Sequence, residues 1–244
     1  MTAIVIGASA GLGRALSEAL AKRGSDLILF ASDLRDLNSL GAHLQLNYGV
    51  SVRTVSADAT NIEAMQNALR DALHSGAPPT ELYLPIGLSK SDDEILTDTD
   101  TTEVIWSVNY KCVVATIQTV LPLLSDGRDA RIVGFGSIAT IRGRSRNVAY
   151  AAAKRALSSY FESLRHDLSA QPVAVQFYQM GYIRTQQLHG HKSILPAIEP
   201  EHAAARILDH ASQDFGTRFL PGYWAVIAPV LRHLPWMIFR RLKF

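Results

Sequence analysis

Short aliphatic and β-branched runs alternate along the chain with longer stretches in which apolar residues recur every three to four positions. The short runs predict strands at 2–7 (TAIVIG), 26–31 (DLILFA), 51–56 (SVRTVS), 81–86 (ELYLPI), 130–136 (ARIVGFG), 173–178 (VAVQFY) and 217–221 (TRFLP). Helical periodicity fills 11–23, 33–48, 61–74, 99–124, 148–169 and 200–213. The strand runs read largely as continuous apolar segments, the pattern of a sheet covered on both faces. Strict alternation of the two element types predicts a parallel sheet with right-handed crossovers. No repeat, low-complexity tract or linker divides the chain. The expectation is one doubly wound α/β domain over 1–222 with a seven-stranded parallel sheet, followed by a helical tail over 223–244.

Composition changes this picture little. The chain is 48% hydrophobic and 19% charged, which is globular. At 244 residues it can bury roughly 70% of its unfolded surface without disulfides or metal. Cys112 is the one cysteine, so no intrachain disulfide forms; this fits a reducing compartment, and a buried structural role is expected for it. No Cys/His grouping has zinc-like spacing, so no metal site is expected. A net charge of +2 gives no argument for a nucleic-acid partner. Its distribution says more: every acidic residue lies at or before Asp214, whereas Arg218, Arg232, Arg240, Arg241 and Lys243 lie beyond it. The N-terminus lacks the basic region of a signal peptide, and no apolar run approaches the roughly 18–20 residues that span a bilayer.

The segment VIGASAGLGRAL joins the first predicted strand to the first helix and carries two overlapping motifs. Gly7-Ala8-Ser9-Ala10-Gly11 is formally a G-x-S-x-G nucleophile elbow. Gly7, Gly11 and Gly13 also form a dinucleotide loop, whose backbone approaches a pyrophosphate at the helix N-terminus and brings Ser9, Ala10 and Leu12 to the ligand. Its place on the first strand, with no obvious histidine partner downstream, favours the nucleotide reading; a purely structural turn is the third alternative. Asp58, after the third strand, suits either an adenine contact or the cap of the next helix. At the end of the second strand an acid would hold a ribose 2′-hydroxyl and an arginine a 2′-phosphate. The chain has Ala31, Ser32 and Asp33 there, so NAD(H) and NADP(H) both stay open.

Tyr150 and Lys154 lie four residues apart on one helical face. Ser137 lies upstream at the end of the fifth strand, where a doubly wound sheet lines its ligand crevice. Asn109 sits inside the preceding long helix, an unfavourable position for asparagine unless it has a partner.

Taken in order and spacing, Gly7, Gly11, Gly13, Asn109, Ser137, Tyr150 and Lys154 resemble the short-chain dehydrogenase/reductase family, across nearly the whole chain. The resemblance implies a Rossmann-type fold. It implies that Tyr150 is the general acid towards a ketone oxygen and that Ser137 hydrogen-bonds that oxygen. Lys154 would hold the nicotinamide ribose and lower the phenol pKa, and Asn109 would position a relay water. The segment QMGYIRTQQL resembles the family's P-G-x-I-x-T, with Met180 in place of proline; Gly181, Ile183 and Thr185 then meet the nicotinamide. The family's N-N-A-G after the fourth strand is LPIG here and retains only Gly87.

Arg142, Arg144 and Arg146 suit either a solvated basic loop or a substrate phosphate at the cleft mouth, with Tyr182 beside the substrate. Residues 184–200 are expected to form a lid, in which His189, His191 and Lys192 can face an anion. In the tail, Trp236, Met237, Ile238, Phe239, Leu242 and Phe244 mix with Arg240, Arg241 and Lys243, and Pro229 and Pro235 read as first-turn residues of two short helices. Such a mixture suits an anionic membrane surface, where each cation contributes about 1 kcal/mol; an oligomer interface or a packed flap suits it as well. LYLPIGL, VNYKCVV, RGRSRNVAY and VLRHLPWMIFRRLKF together resemble the decaprenylphosphoryl-2-keto-ribose reductase branch of the family. That branch implies reduction of a 2-keto pentofuranose on a polyprenyl phosphate, with a flavin-dependent oxidase partner completing a C2 epimerisation for cell-wall polysaccharide. It also implies a homo-oligomer on the cytoplasmic face of the membrane. Two other readings stand: a reductase of a soluble or acyl-lipid ketone with the tail as dimer interface, and a non-catalytic dinucleotide-binding scaffold.

Overall fold

A computed structural model describes residues 1–74, 78–124, 130–185 and 195–241. Strands β1 (Thr2–Ile6), β2 (Asp26–Ala31), β3 (Val52–Ser56), β4 (Glu81–Leu84), β5 (Ala130–Ser137), β6 (Val173–Met180) and β7 (Thr217–Leu220) make one sheet in the order β3-β2-β1-β4-β5-β6-β7. Every pairing is parallel, with Ala3 facing Leu27 on one side and Glu81 on the other. Helices α1 (Gly11–Lys22), α2 (Leu34–Tyr48), α3 (Ile62–Leu73), α4 (Thr99–Trp106), α5 (Cys112–Val120), α6 (Val148–Asp167) and α7 (Pro200–Asp209) form the crossovers. The chain winds outward from β1 in one direction and from β4 in the other. The crevice of such a sheet opens between those two strands at their carboxyl ends.

The pleat explains the two-sided core. In β1, Ala3 and Val5 turn to a cluster with Leu16, Leu37 and Ile207 of α1, α2 and α7. Ile4 and Ile6 turn to Leu69, Val113, Leu157 and Phe161 of α3, α5 and α6. Each such side chain, fully buried, contributes about 1.5–3 kcal/mol. Cys112 lies inside this second cluster, and burial pushes its thiol up to about 11, consistent with packing rather than redox chemistry. At the opposite end of the sheet from the crevice, buried Glu81 pairs with Arg23 (2.6 Å) and Arg131 (3.1 Å).

One expectation is corrected here. Pro229 does not open a helix: α8 (Trp224–His233) begins five residues earlier and carries Pro229 in its interior, while Pro235 does immediately precede α9 (Trp236–Phe239). Burial of Trp224 and Ala228 against the body sets where α8 starts and overrides proline's preference for a first turn. Among the described residues one helical stretch, Thr99–Leu123, is long and apolar enough to cross a membrane by length and composition, but polar Asp100, Glu103 and Lys111 interrupt it, and 56% of its most apolar 18-residue window is buried in this fold.

Candidate active site

A cleft of about 440 Å³ opens at the carboxyl ends of β1, β4, β5 and β6. A second chamber of about 300 Å³ lies over the ends of β2 and β3, and Gly7, Ser9, Ile86 and Gly87 line both. The two together offer an elongated, two-lobed site that suits a dinucleotide.

The glycine loop at the junction is shaped for close approach. Gly7 has φ +88° and Gly11 φ +50°, the left-handed region that favours glycine. A Cβ on Gly13 would lie 1.9 Å from the Gly7 carbonyl oxygen, so α1 can pack on the loop only with glycine there. Ala10 precedes α1 in extended conformation without a side-chain cap, and the first turn holds no acidic residue. Its amides and the positive end of its dipole therefore suit a diphosphate. Ser9, Ala10, Gly11 and Leu12 line the cleft beside them. No histidine is among the described residues lining the cleft.

Asp58 and Ser32 line the second chamber. Asp58 does not cap α3: Asn61 does, accepting from the Ala64 amide at 3.0 Å. Asp58 Oδ1 instead accepts from the Thr60 amide (2.9 Å) and hydroxyl (2.8 Å), which fixes its carboxylate at the chamber wall. Asp33 is turned away to cap α2 through the Asp36 amide. Of the described residues lining this chamber, none is basic and Asp58 is the single acid.

Three of the four predicted catalytic residues, Ser137, Tyr150 and Lys154, line the main cleft; Asn109 is buried behind Gly87, which lines it. Lys154, 3% exposed, donates to the carbonyls of Ile86 and Phe135, both at 3.1 Å. Burial lowers its pKa to about 8. The expectation that Lys154 lowers the phenol's pKa is corrected. Burial raises Tyr150 above its ordinary value, and the Ser137 hydroxyl and the Arg144 charge oppose that rise. Asn109 is fully buried within a π-helical turn, Ser107–Lys111, that joins α4 to α5. Its Nδ2 donates to the carbonyls of Leu88 (2.7 Å) and Ile105 (2.8 Å), and its Oδ1 accepts from the Leu88 amide (3.2 Å). The extra residue of a π turn frees backbone groups and re-aims a side chain, a common device at functional sites. A Cβ on Gly87 would sit 3.2 Å from Asn109 Oδ1 and 3.4 Å from Lys154 Nζ, so Gly87 brings these two groups together.

Gly181, Tyr182, Ile183 and Thr185 line the cleft from the segment after β6, and the Thr185 methyl approaches Gly11. The three arginines part company. Arg142 is drawn out of the cleft: its guanidinium donates to the carbonyls of Leu231 and Leu234 at the end of α8 and stacks over Phe239 at 4.0 Å. It is a clamp for the tail, not a substrate contact. Arg146 is exposed and outside the cleft lining. Arg144 alone lines the cleft, and its buried Nε has no hydrogen-bond partner among the described residues. His189, His191 and Lys192 of the expected lid, and Leu242, Lys243 and Phe244 of the tail, lie outside the described residues.

Sequence reasoning missed Asn147, Ser89 and Asp93. Asn147 lines the cleft with φ +54° and accepts from the Ser89 hydroxyl at 3.0 Å. An asparagine just before a helix reads locally as its cap, but here its side chain makes no such bond. The capping falls to Asp93, more than fifty positions away in sequence, and nothing local marks it.

Comparison with known proteins agrees with this geometry. The short chain dehydrogenase family model matches residues 1–193. An uncharacterized oxidoreductase of Myxococcus xanthus is 30% identical over 208 residues, covering 85% of this chain and 81% of that protein. The 3-oxoacyl-acyl-carrier-protein reductase of Escherichia coli is 29% identical over 189 residues, covering 75% and 73%. Among solved structures, a short-chain dehydrogenase from Sphingobium yanoikuyae in complex with NADPH superposes with a TM-score of 0.84 at 23% identity, over 99% of this chain and 96% of that one. L-sorbose reductase from Gluconobacter frateurii, complexed with NADPH and L-sorbose, gives 0.81 at 19% identity, over 91% and 95%. With the glycine loop, the serine, tyrosine and lysine all disposed around one cleft, the chain belongs to the short-chain dehydrogenase/reductase family and is an NAD(P)-dependent oxidoreductase.

Proposed function

We propose that the protein is an NAD(P)H-dependent ketoreductase acting on a 2-keto pentofuranose carried on a polyprenyl phosphate, the second half of a C2 epimerisation begun by a flavin-dependent oxidase. Gly7, Gly11, Gly13 and the first turn of α1 would hold the diphosphate, Asp58 and Ser32 the adenosine half, and Ile183 and Thr185 the nicotinamide. A reduced dinucleotide bound there would supply a hydride to the carbonyl carbon. The chain's own groups do the rest. Ser137 donates to the ketone oxygen and orients it. Tyr150 transfers the phenolic proton to that oxygen as negative charge develops there. The phenolate left behind would be stabilised by the positive charge of Arg144. Lys154 and Asn109 secure the floor beneath Tyr150 through backbone carbonyls, and Asn109 offers the anchor for a relay water.

The observation that carries the substrate reading is Arg144. A guanidinium in the cleft beside Tyr150, with a buried unpaired Nε, suits a phosphate carried near the reacting sugar. The tail supports a lipid carrier: Val226 (74% exposed), Val230, Trp236 (64%), Met237 and Ile238 are open to solvent, with Arg232, Arg240 and Arg241 among them. In this reading the protein is cytoplasmic and peripheral on the membrane's inner face. The test is oxidation of NADH or NADPH in the presence of the partner oxidase's lipid-linked keto product. Arg144→Ala should raise KM for that substrate more than 10-fold, while a neutral ketone is reduced as before; equal effects on both would sink the phosphate assignment. Flotation with anionic vesicles should be lost in Trp236→Glu/Met237→Glu and weakened by salt. A second reading, a soluble or acyl-lipid ketone reductase whose tail joins two subunits, draws on the likeness to the acyl-carrier-protein reductase. Tail substitutions that split a dimer without changing vesicle binding would favour it.

A further inference from the structure

The helix that carries Tyr150 and Lys154 is not capped by its own sequence. Asn147 occupies the cap position in left-handed conformation, its side chain makes no capping bond, and its Oδ1 is taken by Ser89. The amides at the start of α6 turn instead to one residue of the β4–α4 loop. Asp93 Oδ1 accepts from the Ala149 amide at 2.8 Å and Oδ2 from the Tyr150 amide at 2.9 Å. The Val148 amide points to the Asp93 carbonyl at 3.5 Å. Asp93 is 1% exposed, and no salt bridge to it is found among the described residues. A buried carboxylate without a cation is costly unless hydrogen bonds satisfy it. Here backbone amides and the positive end of the α6 dipole do so.

We propose that Asp93 is a positioning residue for the reaction: by gripping the backbone of Tyr150 itself, it sets where the phenol meets Ser137 and the carbonyl to be reduced. Tyr150 lies in the first turn of α6, where a helix frays first when its cap is lost. Its hydroxyl sits at the far end of a long side chain, so a small rotation of that turn becomes a displacement of order 1 Å at the hydroxyl. Misplacement on that scale costs about 10- to 100-fold in rate. The acidic run Asp92-Asp93-Glu94 looks in sequence like a solvated loop, yet it delivers one carboxylate under the catalytic helix. The inference rests on Tyr150 being the acid and on nothing about the substrate.

The test uses full-length Asp93→Ala and Asp93→Asn. The probes are NADPH with a small ketone such as cyclohexanone, dinucleotide fluorescence titration, amide hydrogen exchange, and the Tyr150 signal in protein labelled at the tyrosine ring carbon bearing the hydroxyl, identified by its loss in Tyr150→Phe. In Asp93→Ala, kcat should fall about 10- to 100-fold with dinucleotide affinity within about 2-fold of wild type. Exchange at Ala149 and Tyr150 should accelerate, and the phenol, now more hydrated, should titrate closer to its ordinary value. Asp93→Asn keeps one acceptor and should fall between, which also covers an alanine variant that does not fold. Unchanged exchange and phenol titration in both variants would overturn the proposal. So would turnover and dinucleotide affinity falling in step, the mark of a purely structural carboxylate. If wild type reduces no probe ketone, that counts against the ketone chemistry alone, and exchange and titration still decide the role of Asp93.

Discussion

Two helix N-termini face the same cleft and are finished in opposite ways. The start of α1 is bare: an alanine at the cap, no acid in the first turn, and a glycine packed on a carbonyl. The start of α6 is filled by the Asp93 carboxylate. Both helices carry the same dipole, so either could draw an anion. In the proposed reading, leaving one open and closing the other would direct a diphosphate to α1 and keep it from the phenol. The end that binds ligand must stay unsatisfied until ligand arrives. The end that does chemistry must be rigid beforehand.

The largest expected effect tests what α6 carries. Tyr150→Phe should reduce turnover about 10²- to 10⁴-fold while dinucleotide affinity at α1 stays nearly constant, checked by fluorescence titration. Comparable loss of both would mean the two ends are not separate.

Lys154, in the second turn of α6, sharpens the contrast by its cost. Its pKa falls from 10.5 unfolded to about 8 folded, so the unfolded chain holds the proton more tightly. The fold therefore pays most below pH 8, up to about 3 kcal/mol, and recovers as pH rises from 8 towards 10.5. Lys154→Met lacks this recovery. In denaturant titrations the variant's stability relative to wild type should drop by up to about 3 kcal/mol across that window. A pH-independent difference would contradict a buried, depressed lysine.

Ala10→Asp would make α1 resemble α6. Ala10 is already extended, as a cap residue must be. Folding stability should rise by about 0.5–1 kcal/mol. Dinucleotide affinity should fall about 10- to 100-fold, because the new carboxylate occupies the amides and repels the diphosphate. Higher melting temperature with unchanged binding would show that α1 is not the anion site.

The smallest effect concerns the tail. Arg142→Ala removes a clamp outside both helix ends. A loss of about 1 kcal/mol should lower the melting temperature by about 2–4 °C. Faster amide exchange should be confined to α8 and α9, leaving Tyr150 turnover unaltered.

What the sequence determined by itself was whatever depends on neighbours close along the chain. Alternating apolar periods specify the strands and helices, and their order specifies a parallel doubly wound sheet. The glycines of the first loop answer a local demand for positive φ and close packing. Tyr150 and Lys154 share a face because helical geometry puts positions four apart together, and Ser137 reaches the cleft because strands end there. Tertiary structure decided whatever depends on which distant segments meet. Asn109 found its partner in Leu88 through a π turn that a regular helical period does not reveal. Three arginines alike in sequence became a tail clamp, a cleft residue and a solvated charge, because their surroundings come from α8, Tyr150 and water respectively. Pro229 entered a helix because burial of Trp224 and Ala228 outweighed its own preference. Asp93 reached the catalytic helix across more than fifty positions, and a contact between segments so far apart leaves no period in the chain to read.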